Sequence, residues 1–129
     1  MSGDWNPKHR LLGRLAGRVA LMWLFTDKGF LSIVQHNQIE DCFQVKSRVA
    51  EPLEILWPDH EIEEIDWADY RFRITIPKAQ VIPVLADQIG SVEYTSFKDQ
   101  SRDDVGYFEA LVRIWTEMYR YQTKMEGDK

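Results

Sequence analysis

Four cations that alternate along two predicted strands could bind an anion. Residues 42–48 place Phe43 and Val45 on one face, and residues 70–76 place Tyr70, Phe72, Ile74 and Ile76 on one face. The cations fall on the opposite faces of these strands: Lys46, Arg48, Arg71 and Arg73. If the two strands are neighbours, the cations form a patch that can bind nucleic acid, a nucleotide or another phosphate ligand.

A run of carboxylates precedes the second of these strands. Residues 59–69 hold six of them, interleaved with Ile62, Ile65 and Trp67. One interpretation is structural, with Glu61 and Glu63 opposite Arg71 and Arg73 as cross-strand pairs. The other is a partner-binding surface, because Trp and Tyr are enriched in interfaces. The residues predicted for that surface are Asp59, Glu61, Glu63, Glu64, Asp66 and Trp67.

Residues for metal binding or nucleophilic catalysis are few. The three histidines and Cys42 have no zinc-site spacing, and the acidic run lacks the Asp-x-Asp-x-Asp-Gly order of a calcium loop. Ser32 and His36 lie about 13 Å apart on one strand, although Cys42 follows a turn and could approach His36. No nucleophile elbow or phosphate-binding glycine loop is present. We therefore predict a non-enzymatic protein with no catalytic residues, no metal and no cofactor.

The elements that must position these residues follow from hydrophobic periodicity. The pattern predicts a hairpin (22–26 and 30–36), a strand (42–48), a helix (50–57), an acidic strand or loop (59–69), a strand (70–76), a helix (77–90), an edge strand (92–95), a loop (97–100) and a helix from 101. This order favours an α+β fold with a ferredoxin-like βαββαβ core, preceded by the hairpin and followed by the long helix. Its central strands are 42–48 and 70–76, and one sheet face is open.

The last helix carries apolar residues at helical spacing. Trp115 and Tyr119 share this stripe with Phe108 and Leu111, so we expect them to pack against the sheet. Tyr107, Tyr121 and Trp67 fall outside the clean stripes and would be interface anchors if exposed. Self-association through the hairpin or the last helix is a further hypothesis, which gives a homodimer.

The length of the chain indicates one domain, and the distribution of charge indicates that its first 21 residues differ from the rest. The chain has 129 residues and a net charge of −5. Residues 1–21 hold four cations and one anion (+3), which leaves −8 for the rest. We predict a basic leader (1–21), either flexible or an amphipathic anchor, then one domain (22–123) and a polar tail (124–129). One cysteine and no apolar run near 20 residues favour a cytoplasmic protein without a membrane span.

Five segments carry a resemblance to other proteins. They are Met22–Gln35, Val45–Arg48, Asp69–Arg73, Tyr94–Asp99 and the Trp115, Tyr119, Gln122 spacing. Over residues 22–122 the chain resembles a group of small bacterial and phage-borne proteins with no established activity. The resemblance implies a domain that stands alone, and it implies no site residues.

Together these patterns predict a small interaction module. It would be a mobile-element protein that binds and modulates a protein partner through the acidic surface. The alternative is a nucleic-acid or nucleotide-binding domain that uses Lys46, Arg48, Arg71 and Arg73 on the open sheet face.

Overall fold

The protein has a mixed α+β architecture in the computed structural model, which describes residues 21–127. The predicted leader therefore lies outside the described residues, apart from Leu21 at the start of the first strand. The elements are β1 (Leu21–Thr26), β2 (Gly29–Gln35), β3 (Cys42–Ser47), α1 (Glu51–Leu56), β4 (Glu63–Glu64), β5 (Phe72–Pro77), α2 (Lys78–Gly90), α3 (Phe97–Gln100) and α4 (Val105–Gly127).

The five strands form one antiparallel sheet in the order β1-β2-β3-β5-β4. The predicted neighbours β3 and β5 are paired at the centre, with Val45 opposite Ile74 and Lys46 opposite Arg73. Helix α1 connects β3 to β4, and β5 lies between those two strands. This register places the outward cations of β3 and β5 side by side.

The predicted ferredoxin-like topology is wrong because its last strand does not form. That fold needs a strand from residues 92–95 beside β3, but β2 of the hairpin occupies this edge. The N–H of Val92 instead donates to the carbonyl of Ile89 at 3.2 Å, which continues the turn after α2. Residues 97–100, expected as a loop, form α3, since Ser96 accepts a hydrogen bond from the N–H of Asp99.

The hydrophobic core lies between the inner sheet face and the helices α1 and α2. Alternate residues of the central strands supply one side of it: Leu31, Ile33, Val45, Ile74 and Ile76. The helical side is Leu53, Leu56, Trp57 and Val81. The indole N–H of Trp57 donates to the carbonyl of Gln80 at 3.3 Å, so this side chain also ties α1 to α2.

The hairpin turn is fixed by hydrogen bonds and by a close approach to α1. The hydroxyl of Thr26 donates to the carbonyl of Gly29 at 2.8 Å and accepts from the N–H groups of Lys28 and Gly29. Gly29 has a φ of 138° and lies against Pro52 of α1. Only glycine adopts this φ without strain.

Helix α4 begins beside the same turn. Its first N–H groups are capped by Asp104, whose carboxylate accepts from the N–H of Tyr107 at 3.1 Å. The predicted start at residue 101 is therefore four residues early. The phenol of Tyr107 donates to the carbonyl of Thr26 at 2.8 Å and joins α4 to the hairpin. Lys124–Gly127 also belongs to α4. Within residues 21–127, none of the helices has the length and apolarity that crossing a bilayer requires.

Replacing Tyr107 with phenylalanine tests this junction. Loss of the hydrogen bond to Thr26 is expected to lower the free energy of unfolding by about 1 kcal/mol at pH 7. Burial is the main cause of a raised pKa at Tyr107, and the negative charges of Asp27 and Asp104 raise it further. The folded state thus keeps a proton that an unfolded tyrosine loses near pH 10, so the contribution is full below about pH 10 and is lost above it.

Urea unfolding at pH 7 and pH 10.5 measures both effects. The advantage of the wild type over Tyr107→Phe should shrink at the higher pH, whereas the exposed Tyr121→Phe should match the wild type at both. Equal stability of all three proteins at pH 7 would mean that the phenol contributes nothing to the junction.

Candidate functional site

The acidic surface comprises Asp59, Glu61, Glu63, Glu64, Asp66 and Trp67. All six side chains are exposed, on the stretch that leaves α1, forms the edge strand β4 and turns into β5. Ile62 and Ile65 between them are half-buried, and Ile62 packs against the core. The apolar residues therefore anchor the segment while its carboxylates face solvent.

Trp67 lies on a braced turn between β4 and β5. The N–H of Ile65 donates to the carbonyl of Arg71 at 2.8 Å, and the N–H of Ala68 donates to the carbonyl of Ile65 at 3.1 Å. The guanidinium of Arg71 pairs with the carboxylate of Asp66 at 3.5 Å. The Trp67 side chain is 88% exposed, so this turn presents a large aromatic ring to solvent.

Two of the four predicted cations lie side by side on the outer sheet face. Lys46 and Arg73 are directly opposite in the β3–β5 register, and Arg48 and Arg71 continue the two chains beyond it. Each arginine has a carboxylate nearby or opposite. Arg48 pairs with Asp69 at 3.2 Å, Arg71 pairs with Asp66, and Arg73 lies opposite Glu63.

The predicted cross-strand pairs are therefore half right. Glu63 does face Arg73, but Arg71 is paired by Asp66 rather than by Glu61. The reason is the antiparallel register, in which Glu63 is opposite Arg73 and Glu64 is opposite Phe72. The residue that reaches Arg71 is therefore Ile65, whose N–H donates to its carbonyl, and Glu61 lies at the other end of β4.

Lys46 and Arg73 are the members of the patch without an ion pair among the described residues, and the guanidinium of Arg73 donates to the carbonyl of Tyr70 at 3.0 Å. Lys46 lies beside it. Partial burial is the main cause of a lowered pKa at the Lys46 ammonium group, and the positive charge of Arg73 lowers it further. The negative charge of Asp69 acts in the opposite direction. With Arg48 and Arg71 in ion pairs and Arg73 opposite Glu63, the nearby carboxylates reduce the attraction of the patch for a polyanion.

An aromatic cluster on the outer sheet face is a feature that the sequence analysis missed. The rings of Phe25 and Phe30 stack at 4.6 Å, and Trp23 meets Phe30 edge-on at 5.8 Å. The guanidinium of Arg48 lies 4.3 Å from the ring centre of Tyr70. The signal was available for the hairpin, since Trp23 and Phe30 alternate with the inward residues of their strands.

Tyr70 was predicted to face the core, and its ring lies on the outer sheet face instead. Its ring lies 6.3 Å from that of the outward Phe30 and packs under Arg48. Because β5 begins at Phe72, the strand alternation does not extend back to Tyr70.

The side chains of His36 and Cys42 make hydrogen bonds to other groups and none to each other in the described part of the chain. The Nδ1 atom of His36 accepts the N–H groups of Gln38 and Ile39, both at 3.1 Å, and so caps the turn before β3. Cys42 is buried, with its thiol 3.9 Å from the carboxylate of Asp41. Across residues 21–127, no three His, Cys, Asp or Glu side chains converge on a point where they could hold a metal ion.

The expected packing of Trp115 and Tyr119 against the sheet is wrong. Helices α1 and α2 already cover the inner sheet face, and α4 packs instead on α3, with Leu111 buried. The ring of Trp115 stacks on that of Tyr119, with 5.6 Å between the ring centres. The ammonium group of Lys98 lies 4.4 Å from the centre of the Trp115 ring. The apolar face of α4, which is exposed, comprises Val112, Ile114, Trp115, Met118, Tyr119, Tyr121 and Met125.

Comparison of the chain with protein-family models, with curated proteins and with solved structures gives no match. The resemblance to small bacterial and phage-borne proteins therefore stays a prediction. The function has to be argued from the geometry of the acidic surface, the sheet face and α4.

Proposed function

We propose that this protein is an interaction module that binds a protein partner through the acidic surface, with Trp67 as the central anchor. The observation that carries the proposal is the 88% exposure of Trp67 on a turn held by backbone hydrogen bonds and an ion pair. Large aromatic side chains dominate the energetics of many interfaces, and a braced turn loses little conformational entropy when it binds.

The charges around Trp67 indicate the chemistry of the partner. Asp66 and Asp69 are occupied by Arg71 and Arg48 and help to shape the turn. Asp59, Glu61 and Glu64 are exposed and make no ion pair within residues 21–127. Unpaired carboxylates around an aromatic anchor favour a partner that offers lysine or arginine around an apolar pocket, and they accelerate its association.

Nucleic-acid binding by the cations is the less favoured alternative. The aromatic cluster beside Lys46 and Arg73 is a feature that single-strand-binding sheets share. However, residues 22–129 carry a net charge of −8, and each arginine of the patch lies beside or opposite a carboxylate. Both conditions oppose a polyanion, so this alternative is an outcome of the test below.

Selection from a random peptide library on the full chain is expected to enrich lysine and arginine around an apolar residue. For a selected peptide, Trp67→Ala should weaken binding at least about tenfold, because loss of an anchor costs about 2 kcal/mol or more. Removing three charges with Asp59→Asn, Glu61→Gln and Glu64→Gln should slow association and reduce its dependence on salt.

Matched controls separate the acidic surface from general effects. Trp23→Ala removes an exposed tryptophan elsewhere, and the triple variant Glu40→Gln, Glu54→Gln, Asp103→Asn removes the same charge from other exposed positions. Both should bind like the wild type. Selected peptides without cations, or full affinity of Trp67→Ala, would contradict the proposal. Salt-dependent binding of a mixed-sequence oligonucleotide, lost in Arg73→Gln, would favour the alternative.

A further inference from the structure

Helix α4 carries a seam of residues spaced alternately by three and four. They are Phe108, Leu111, Trp115, Met118, Gln122 and Met125. This is the spacing of the a and d positions in a coiled coil, where the side chains of one helix insert between those of a facing helix. Val112 and Tyr119 flank the seam on one side, and Ile114 and Tyr121 flank it on the other. Most of the polar and charged residues lie away from the seam, with Gln122 inside it and Glu126 beside it as the exceptions.

The seam is buried only near its start and is exposed along the rest of α4. Leu111 is the buried residue of α4, and its apolar side chains from Val112 to Met125 are exposed. Helices are marginal in water without tertiary packing, and an amphipathic helix needs a surface for its apolar face. Apart from Lys98 over the Trp115 ring, the apolar side chains in the last four turns of α4 are therefore largely uncovered within residues 21–127.

We propose that a second copy of this chain docks on the apolar face of α4 and forms a dimer joined helix to helix. The available area fits this occupant. Complete burial of the seven side chains of that face on both copies would remove about 1,400 Å² from solvent, within the range of specific, stable protein interfaces.

Charge also favours a second copy over a charged partner. Helix α4 holds three cations, Arg113, Arg120 and Lys124, and three anions, Glu109, Glu117 and Glu126, so its net charge is zero. One charged side chain, Glu126, lies on the same side of the helix as Val112 and Tyr119, and its carboxylate accepts a hydrogen bond from the amide of Gln122 at 2.9 Å. Two copies can therefore meet without net like-charge repulsion along the helix, and a single carboxylate that already accepts a hydrogen bond gives the face little charge by which to select a basic partner.

Details of the seam suit helix-to-helix packing. A shallow concavity along α4 is lined by residues of this one helix, and a side chain of a facing helix could insert into it. The lining residues are Trp115, Met118, Tyr119, Tyr121, Gln122, Met125 and Glu126. Trp115 is held in place by its stack on Tyr119 and by Lys98. Gln122 is a polar residue within the seam, and such residues select one alignment of paired helices.

Sedimentation velocity of the full chain, over about 1 to 500 μM, tests the proposal. The expected mass is twice 15.2 kDa, with dissociation on dilution. Met118→Glu places a carboxylate in the seam and should weaken the dimer at least about a hundredfold. Thr123→Glu adds the same charge at an exposed position outside the seam and should leave the mass doubled.

Because Met118 is exposed in the single chain, Met118→Glu should fold, and its helical circular dichroism verifies this. Met125→Glu, near the end of α4, is a second variant that should also dissociate the dimer. A wild type that stays at 15.2 kDa throughout would overturn the proposal, as would equal effects of Met118→Glu and Thr123→Glu. If the wild type is a monomer and Met118→Glu lowers its free energy of unfolding, another part of the same chain covers the apolar face of α4, and the dimer proposal is overturned. Peptide binding by Trp67 is measured separately and does not depend on this result.

Discussion

Replacing Gly29 with alanine is expected to lower the free energy of unfolding by about 3 kcal/mol. A Cβ atom at this position would lie 2.4 Å from Cγ and 3.2 Å from Cβ of Pro52. The proline ring is rigid and fully buried in the first turn of α1, so it cannot move aside. The φ of 138° at Gly29 adds backbone strain for any residue with a Cβ. The two effects act together where the hairpin meets the core.

Urea unfolding followed by circular dichroism measures this loss. Gly90→Ala is the matched control, since Gly90 ends α2 with open space around its Cβ position, and its stability should change by less than about 1 kcal/mol. Pro52→Ala removes the Cγ atom, so Gly29→Ala should cost less in that background. An unfolding midpoint for Gly29→Ala equal to that of Gly90→Ala would show that α1 does not pack against the turn as described.

The second large effect is expected for Trp57→Ala, with a loss of about 3–5 kcal/mol. Trp57 is 3% exposed and packs in the core between α1 and α2. Alanine would leave a cavity and would also leave the carbonyl of Gln80 without its indole donor. Trp57→Phe keeps most of the apolar contact and loses the donor, so its cost should be intermediate.

Trp67→Ala is the control, ten residues further along the chain. Its side chain is 88% exposed, so truncation should change stability by less than about 0.5 kcal/mol. Thermal or urea unfolding of the three variants gives the order directly. Similar losses for Trp57→Ala and Trp67→Ala would contradict the burial of one and the exposure of the other.

The strands were predictable because each has one buried face. Alternation in residues 42–48 and 70–76 assigns Val45 and Ile74 to the core and Lys46 and Arg73 to the outer face, and the register brings the latter pair together. The same rule failed at residues 92–95, whose pattern is compatible with a strand but whose expected place in the sheet is taken by β2. Alternation shows what a strand would bury, and it does not show whether a sheet edge is free.

The candidate site was predictable in composition but not in pairing. The carboxylates of residues 59–69 were expected to lie near the cations, and they do, yet the partner of Arg71 is Asp66 and that of Arg48 is Asp69. These pairs depend on a two-residue strand and a turn whose shape is set by backbone hydrogen bonds. Such a turn leaves no periodic signal in the sequence.

By itself, the sequence determined which residues share a face, because side-chain direction follows from the local period of a strand or a helix. It therefore specified the inward side of the sheet and the apolar stripe of α4. Only the tertiary structure decided which faces are covered. Trp57 and Trp115 both lie on apolar stripes, but the space over the inner sheet face is filled by α1 and α2, so Trp57 is buried and Trp115 is left in solvent. Coverage depends on contacts between distant segments, and no local pattern encodes them.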